Sequence, residues 1–203
     1  MFASPIQTAC RKTPEAKLRY GGMNKLRTWT ICAGALALSL LLGCRRDVRE
    51  RIFDMRYPNV PFTIPAGLSP GIVPRTLVLD DFPSNLRYYL DTYKTDTSAI
   101  GAIQPFSASI ITLDGSNLDF ISEISLRICA QGSPSCARSD EVFYIDRLQF
   151  ERVGNQIRLL PTLINAKRLL SKERFKLELW FYLYQVTPIS IPCRLEMEFE
   201  AVR

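Results

Sequence analysis

Phe175, Leu177, Leu179, Phe181 and Leu183 place an apolar side chain at every second position. That is the period of a strand with one buried face, and no helix gathers such residues on one side. The pattern returns at Leu195, Met197 and Phe199, where Arg194, Glu196, Glu198 and Glu200 take the wet face. Ile124, Leu126 and Ile128 alternate with Ser125 and Arg127, which predicts a strand with one face in water. Further strands are expected over Arg75–Leu79, Phe106–Leu113, Val142–Phe150 and Gln156–Leu160, and Asp114-Gly115 is a strong turn signal after the second of these. In Val142–Phe150, Val142, Tyr144 and Asp146 fall on one side and Phe143, Ile145 and Arg147 on the other. Prolines around Phe62–Leu68 confine that segment to a first edge strand. Ser84 caps one short helix with Leu86, Leu90 and Tyr93 on a common face, and Asn165–Leu170 predicts a single helical turn. Many short strands separated by turns predict an all-β, two-sheet antiparallel sandwich, immunoglobulin-like or jelly-roll-like, with one short helix.

The N-terminal region follows different rules. Thr28 to Leu42 is apolar, is preceded by Lys25 and Arg27, and is stopped by Arg45 and Arg46. A membrane-spanning helix needs about 20 apolar residues, whereas a secretory signal needs roughly 7–15 between a basic start and a small residue. The shorter class fits. The closing run Leu40-Leu41-Leu42-Gly43-Cys44 resembles the lipobox of bacterial lipoproteins. The resemblance implies cleavage by signal peptidase II before Cys44, whose thiol then carries a diacylglycerol. Residues 1–43 would be the signal peptide, 44–57 a lipidated tether and 58–203 the domain. Met23 begins a compact signal of its own, Met23-Asn24-Lys25-Leu26-Arg27, so the start is expected there. Arg45 stands where enteric inner-membrane lipoproteins carry an aspartate, which by analogy implies the outer membrane; Arg45-Arg46-Asp47-Val48 does not resemble the acidic surface-export tag of Bacteroidetes lipoproteins, which favours the periplasmic face over the cell surface.

Order and spacing carry a second resemblance. An edge strand, the segment Leu118 to Ile124, the pair Leu169-Leu170 and a last alternating hairpin are similar to small β-sandwich envelope lipoproteins of Bacteroidetes-type bacteria. That likeness implies the sandwich and brings no catalytic residues.

A net charge of +6 invites nucleic acid as a partner. Its location removes the invitation. Residues 1–43 hold six basic residues and one acid, leaving 20 basic and 19 acidic residues in 44–203, which is no electrostatic footprint for nucleic acid. The cluster Arg45, Arg46, Arg49 and Arg51 lies beside the lipid site, where anionic head groups attract it.

Three cysteines fall beyond the tether. Cys129 and Cys136 flank a Gly/Pro/Ser turn that brings their ends together, so a disulfide between them is the favoured pairing. Cys193 is then a buried, unpaired thiol in a strand, although bridges from it to Cys129 or Cys136 also satisfy the count.

The chain contains no histidine, which excludes a Ser-His-Asp triad, a Cys-His pair and every histidine-ligated metal. It has no Gly-rich phosphate loop and no Ser-x-x-Lys. Asp80-Asp81 and the Glu196/Glu198/Glu200 row could supply two carboxylates, but a turn and a solvated strand face explain them. Asp114, Asn117 and Asp119 have oxygen side chains suited to calcium, and again a turn accounts for them. The expectation is therefore no enzyme, no cofactor and no metal. Trp180, Tyr182 and Tyr184 occupy the face of their strand that should be polar. This row is either covered, by the Ser84–Tyr93 helix or the Pro-rich segment, or it is a binding platform for a sugar, a peptide or a subunit. The sequence thus predicts a membrane-tethered binding or structural accessory domain, with membrane lipid as one partner and an envelope protein complex or glycan as the other.

Overall fold

The alternation that predicts strands is obeyed in a computed structural model, which describes residues 49–150 and 152–203. The basic start, the apolar run and Cys44 lie outside the described residues. The strands are β1 (Arg51–Ile64), β2 (Arg75–Pro83), β3 (Ala102–Thr112), β4 (Ile121–Ala130), β5 (Glu141–Ile145), β6 (Gln156–Pro161), β7 (Arg174–Leu183) and β8 (Ile191–Val202). Helix α1 (Leu86–Tyr93) lies between β2 and β3, and the single turn α2 (Lys167–Leu170) lies between β6 and β7.

Every strand pairing is antiparallel. The strands form one eight-stranded sheet in the order β1-β8-β3-β6-β5-β4-β7-β2. An all-β antiparallel fold was expected, but as two sheets. The two halves are joined because β5 and β6 share a short ladder, with Phe143 opposite Pro161 and Tyr144 opposite Leu160. The sheet curls into a half-barrel around one core. Its two edge strands, hydrogen-bonded to nothing in common, meet through side chains: the Tyr57 and Phe82 rings are 5.5 Å apart, and the Tyr57 hydroxyl donates to the Ser84 carbonyl. Phe143 of β5 packs against Phe199 of β8 at 5.5 Å. Phe143, Phe175, Phe181 and Phe199 are among the largest fully buried side chains, and each such burial is worth roughly 1.5–3 kcal/mol.

The first strand corrects two expectations. It begins at Arg51 and ends at Ile64, so residues 51–57 are strand rather than tether, and residues 65–68 lie beyond it. Phe53, Met55 and Tyr57 point inward while Arg56 is exposed, a period of two masked by the surrounding charges. A register shift between Tyr57 and Val60 takes up Pro58 and Asn59, after which Val60 and Ile64 again face the core. β5 stops at Ile145, five residues short of the expected end, where Arg147 takes a left-handed backbone (φ 61°) and Leu148–Phe150 form a 3-10 turn.

Helix α1 forms where expected, but its N-cap is Asn85, in a left-handed backbone (φ 56°) and without a side-chain capping bond, rather than Ser84. The Ser84 hydroxyl accepts a bond from the Leu86 backbone N–H at 3.4 Å. The helix packs on β1, with Tyr89 and Tyr93 stacked 5.8 and 5.3 Å from the Phe53 ring.

Candidate functional site

β4 reads in sequence as half-solvated, yet Ser125 and Arg127 are buried. The cover is local. Cys129 and Cys136 are disulfide-bonded with Cα atoms 5.4 Å apart, and the loop they close folds over the outer face of β7 as a roof. Beneath it lie Lys176 and Glu178, 2.8 Å apart, with side chains 7% and 1% exposed. Two buried charges are costly unless every polar atom finds a partner. Here they do: Lys176 Nζ donates to the Ser133 and Pro134 carbonyls at 2.9 and 3.1 Å. Glu178 Oε2 accepts from the Cys136 backbone N–H at 3.1 Å and from Trp180 Nε1 at 2.9 Å. Burial pushes the Glu178 carboxyl up, but the bonds from Lys176, Cys136 and Trp180 outweigh it and hold the group below the usual carboxylate range.

The network continues along the sheet. The Arg127 guanidinium covers the Trp180 ring, 3.9 Å from its centroid, and Arg127 Nε donates to Ser125 Oγ at 3.1 Å. Ser125 in turn donates to Glu141. Trp180 is opposite Ser125 on β4 and Thr76 on β2. Its face and its N–H are both engaged by this chain's own side chains.

Next to this network the sheet opens into a cleft of about 590 Å³. Tyr182 on β7 lies opposite Glu123 on β4, and Tyr144 on β5 lies opposite Ser125. The two tyrosines therefore stand on either side of β4, roughly 10 Å apart across the strands at the usual spacing of about 4.8 Å per strand. Arg127, Arg138, Glu141 and Asp146 complete the polar lining. Arg127 and Glu141 are held by the network. Glu123, Arg138 and Asp146 have no side-chain partner among the described residues.

The row expected at Trp180, Tyr182 and Tyr184 is thus divided. Trp180 and Tyr182 are half-buried and Tyr184 is exposed. Tyr184 sits past the end of β7, where its backbone N–H bonds the Phe120 carbonyl at 3.1 Å. Cover for β7 comes from the disulfide loop rather than from α1. Tyr144, Arg138 and Asp146 join the site through the β4–β5 pairing and Glu123 through the β4–β7 pairing, and the sequence pattern does not give the register of either. Sequence reasoning missed Lys176 and Glu178, which flank Leu177 on the outer face as an ordinary exposed pair would, and nothing local announces their roof.

Of the other carboxylates named from the sequence, Asp81, Glu196 and Glu198 are engaged. Asp81 binds Arg174 Nη1 and Gln131 Nε2, both at 2.7 Å. Glu196 pairs with Arg194 at 2.9 Å, and Glu198 with Arg56 at 3.2 Å. These lie by a second cleft of about 500 Å³ on the outer face of β8. In the expected calcium loop, Asp114 accepts from the Ser116 N–H at 3.0 Å, and Asp119 accepts from the Val153 and Gly154 N–H groups at 2.9 and 3.2 Å. The Ser116 backbone and hydroxyl hold the Asp114 carboxyl below its ordinary range, and Gly115 supplies the left-handed backbone of that turn (φ 78°). Cys193 is buried and unbridged, and burial with the nearby Asp114 charge pushes its thiol pKa up to about 12. Among the described residues no group of three or more metal-ligating side chains converges. No protein-family model matches the chain, and no curated protein matches it.

Proposed function

We propose that the protein is an outer-membrane lipoprotein facing the periplasm, in which a β domain is tethered through Cys44 and serves as a non-enzymatic binding or structural accessory. The carrying observation is the run Leu40-Leu41-Leu42-Gly43-Cys44 after a basic start and a short apolar core. The domain supports the reading by starting close behind it, since β1 begins seven residues after Cys44. A thioether-linked diacylglycerol brings two acyl chains, enough for stable retention where one chain gives only marginal binding.

Strands pair so that β1 meets β8, β2 meets β7, β3 meets β6 and β4 meets β5. That is the pattern of one long hairpin rolled upon itself, and it favours the jelly-roll form of sandwich over the immunoglobulin form. The β5–β6 ladder is then the seam where the two four-stranded halves touch.

Metabolic labelling with a fatty-acid analogue, followed by membrane fractionation, tests the tether. Wild type incorporates label and sediments with outer membrane, and Cys44→Ala does neither. Unlabelled wild type would end this reading.

A further inference from the structure

We propose that the cleft between Tyr144 and Tyr182 is a binding site for an uncharged glycan; this deepens the binding-domain half of the reading above and does not depend on the lipid. A volume of about 590 Å³ falls within the range of roughly 300–1,000 Å³ typical of small-ligand sites. Its chemistry narrows the ligand. Glu123, Glu141 and Asp146 are acceptors, whereas Arg127, Arg138 and the two tyrosine hydroxyls supply donors. Charges of both signs in near balance suit neither a strongly cationic nor a strongly anionic molecule. A neutral molecule carrying many groups that both donate and accept can meet Glu123, Arg138, Asp146 and the tyrosine hydroxyls together.

The tyrosines add the second requirement. An aromatic face is electron-rich and attracts the weakly positive C–H groups of an apolar surface. A pyranose ring presents such C–H faces, with hydroxyls around its rim. Tyr144 and Tyr182, on opposite sides of β4, form walls for the ring faces. Glu123, Arg138 and Asp146 are placed to meet the rim, and they are the lining charges without a side-chain partner among the described residues. The cleft on β8 lacks this combination, because Glu196 and Glu198 are already paired with arginines.

The site is also held in shape. Its floor includes Ser125 and Arg127, which are bonded to each other and held from beside the cleft by Trp180, itself bonded to Glu178. Arg138 belongs to the 3-10 turn that follows the disulfide loop, where Ala137 N–H bonds the Asp140 carboxylate at 2.9 Å. Binding groups on a braced floor lose less freedom when ligand arrives.

The test is calorimetric titration of detergent-solubilised full-length protein with β-1,4-linked hexamers of glucose, xylose, mannose and N-acetylglucosamine. At least one hexamer is expected to bind with a dissociation constant of about 10 µM to 1 mM. Tyr182→Ala and Tyr144→Ala each weaken it at least tenfold with Tm unchanged within about 2 °C, and Glu123→Gln weakens it less. Tyr88→Ala, an equally large exposed ring on α1, leaves it unchanged. Failure of all four hexamers to bind overturns the proposal, as does binding that survives both tyrosine changes. Preference for a basic or acidic peptide over every hexamer also overturns it. If either tyrosine variant loses its fold, Glu123→Gln and Arg138→Gln decide by the same readout. Acyl labelling of Cys44 is scored independently, so loss of the glycan site leaves the lipoprotein reading standing.

Discussion

Arg127 sits over Trp180, its guanidinium carbon 3.9 Å from the ring centroid, with the arginine only 8% exposed. A desolvated cation over an indole is worth about 2 kcal/mol or more. Arg127→Ala therefore destabilises the domain by about 2–3 kcal/mol in urea unfolding. Arg127→Lys recovers only part of this, since a lysine cannot both stack flat and reach Ser125. Trp180→Ser costs a similar amount, whereas Tyr182→Ser, at the cleft, leaves stability within about 1 kcal/mol.

Reducing the disulfide acts on the same face. Closing so short a loop contributes about 2.5 kcal/mol in the chain-entropy account, and opening it also lifts the roof from Lys176 and Glu178. The Cys129→Ser/Cys136→Ser protein is expected to melt about 5–10 °C below wild type by calorimetry. Wild type in strong reductant should match it.

Stability should also fall in acid through Glu178. Its folded-state pKa lies below the ordinary value, so its contribution is complete above about pH 4.3 and is lost as pH drops through the folded value. Glu178→Gln leaves Lys176 buried and uncompensated, at a cost of about 3–5 kcal/mol at neutral pH. In the variant, unfolding free energy should fall less steeply than in wild type between about pH 5 and pH 3. Denaturant titrations at each pH read this directly.

Cys193 should be silent. Its thiol is buried, bonded to the Ile191 carbonyl at 3.6 Å, and protonated at any physiological pH. Peptide mass spectrometry after iodoacetamide treatment should find Cys193 unmodified in the native protein and fully modified in about 6 M guanidinium chloride.

Where the apolar side chains alternate without interruption, the sequence was a sufficient guide. β7 runs from Arg174 to Leu183 against an expected Phe175 to Leu183, and the pairing of Cys129 with Cys136 follows from the turn between them. It failed where two signals overlap or where the determining contact is remote. Arg51, Asp54 and Arg56 hid the inward residues of β1, although Arg56 and Glu198 of the neighbouring strand in fact pair at 3.2 Å. Ser125 and Arg127 look like a wet face because polarity is local, whereas Glu141 and Trp180, which bond and stack on them, come from β5 and β7. The aromatic residues of β7 were recognisable one by one. Their division into a pinned Trp180 and a cleft-lining Tyr182 depends on β4, β5 and the loop at once.

The pairing of β1 with β8 constrains the order in which the sheet can be completed. Arg51 finds its ladder partner in Val202, so β1 keeps an open edge until β8 has joined it. Closing so long a loop delays the step that completes the sheet. A polypeptide built this way has no complete sheet until both of its ends are present together.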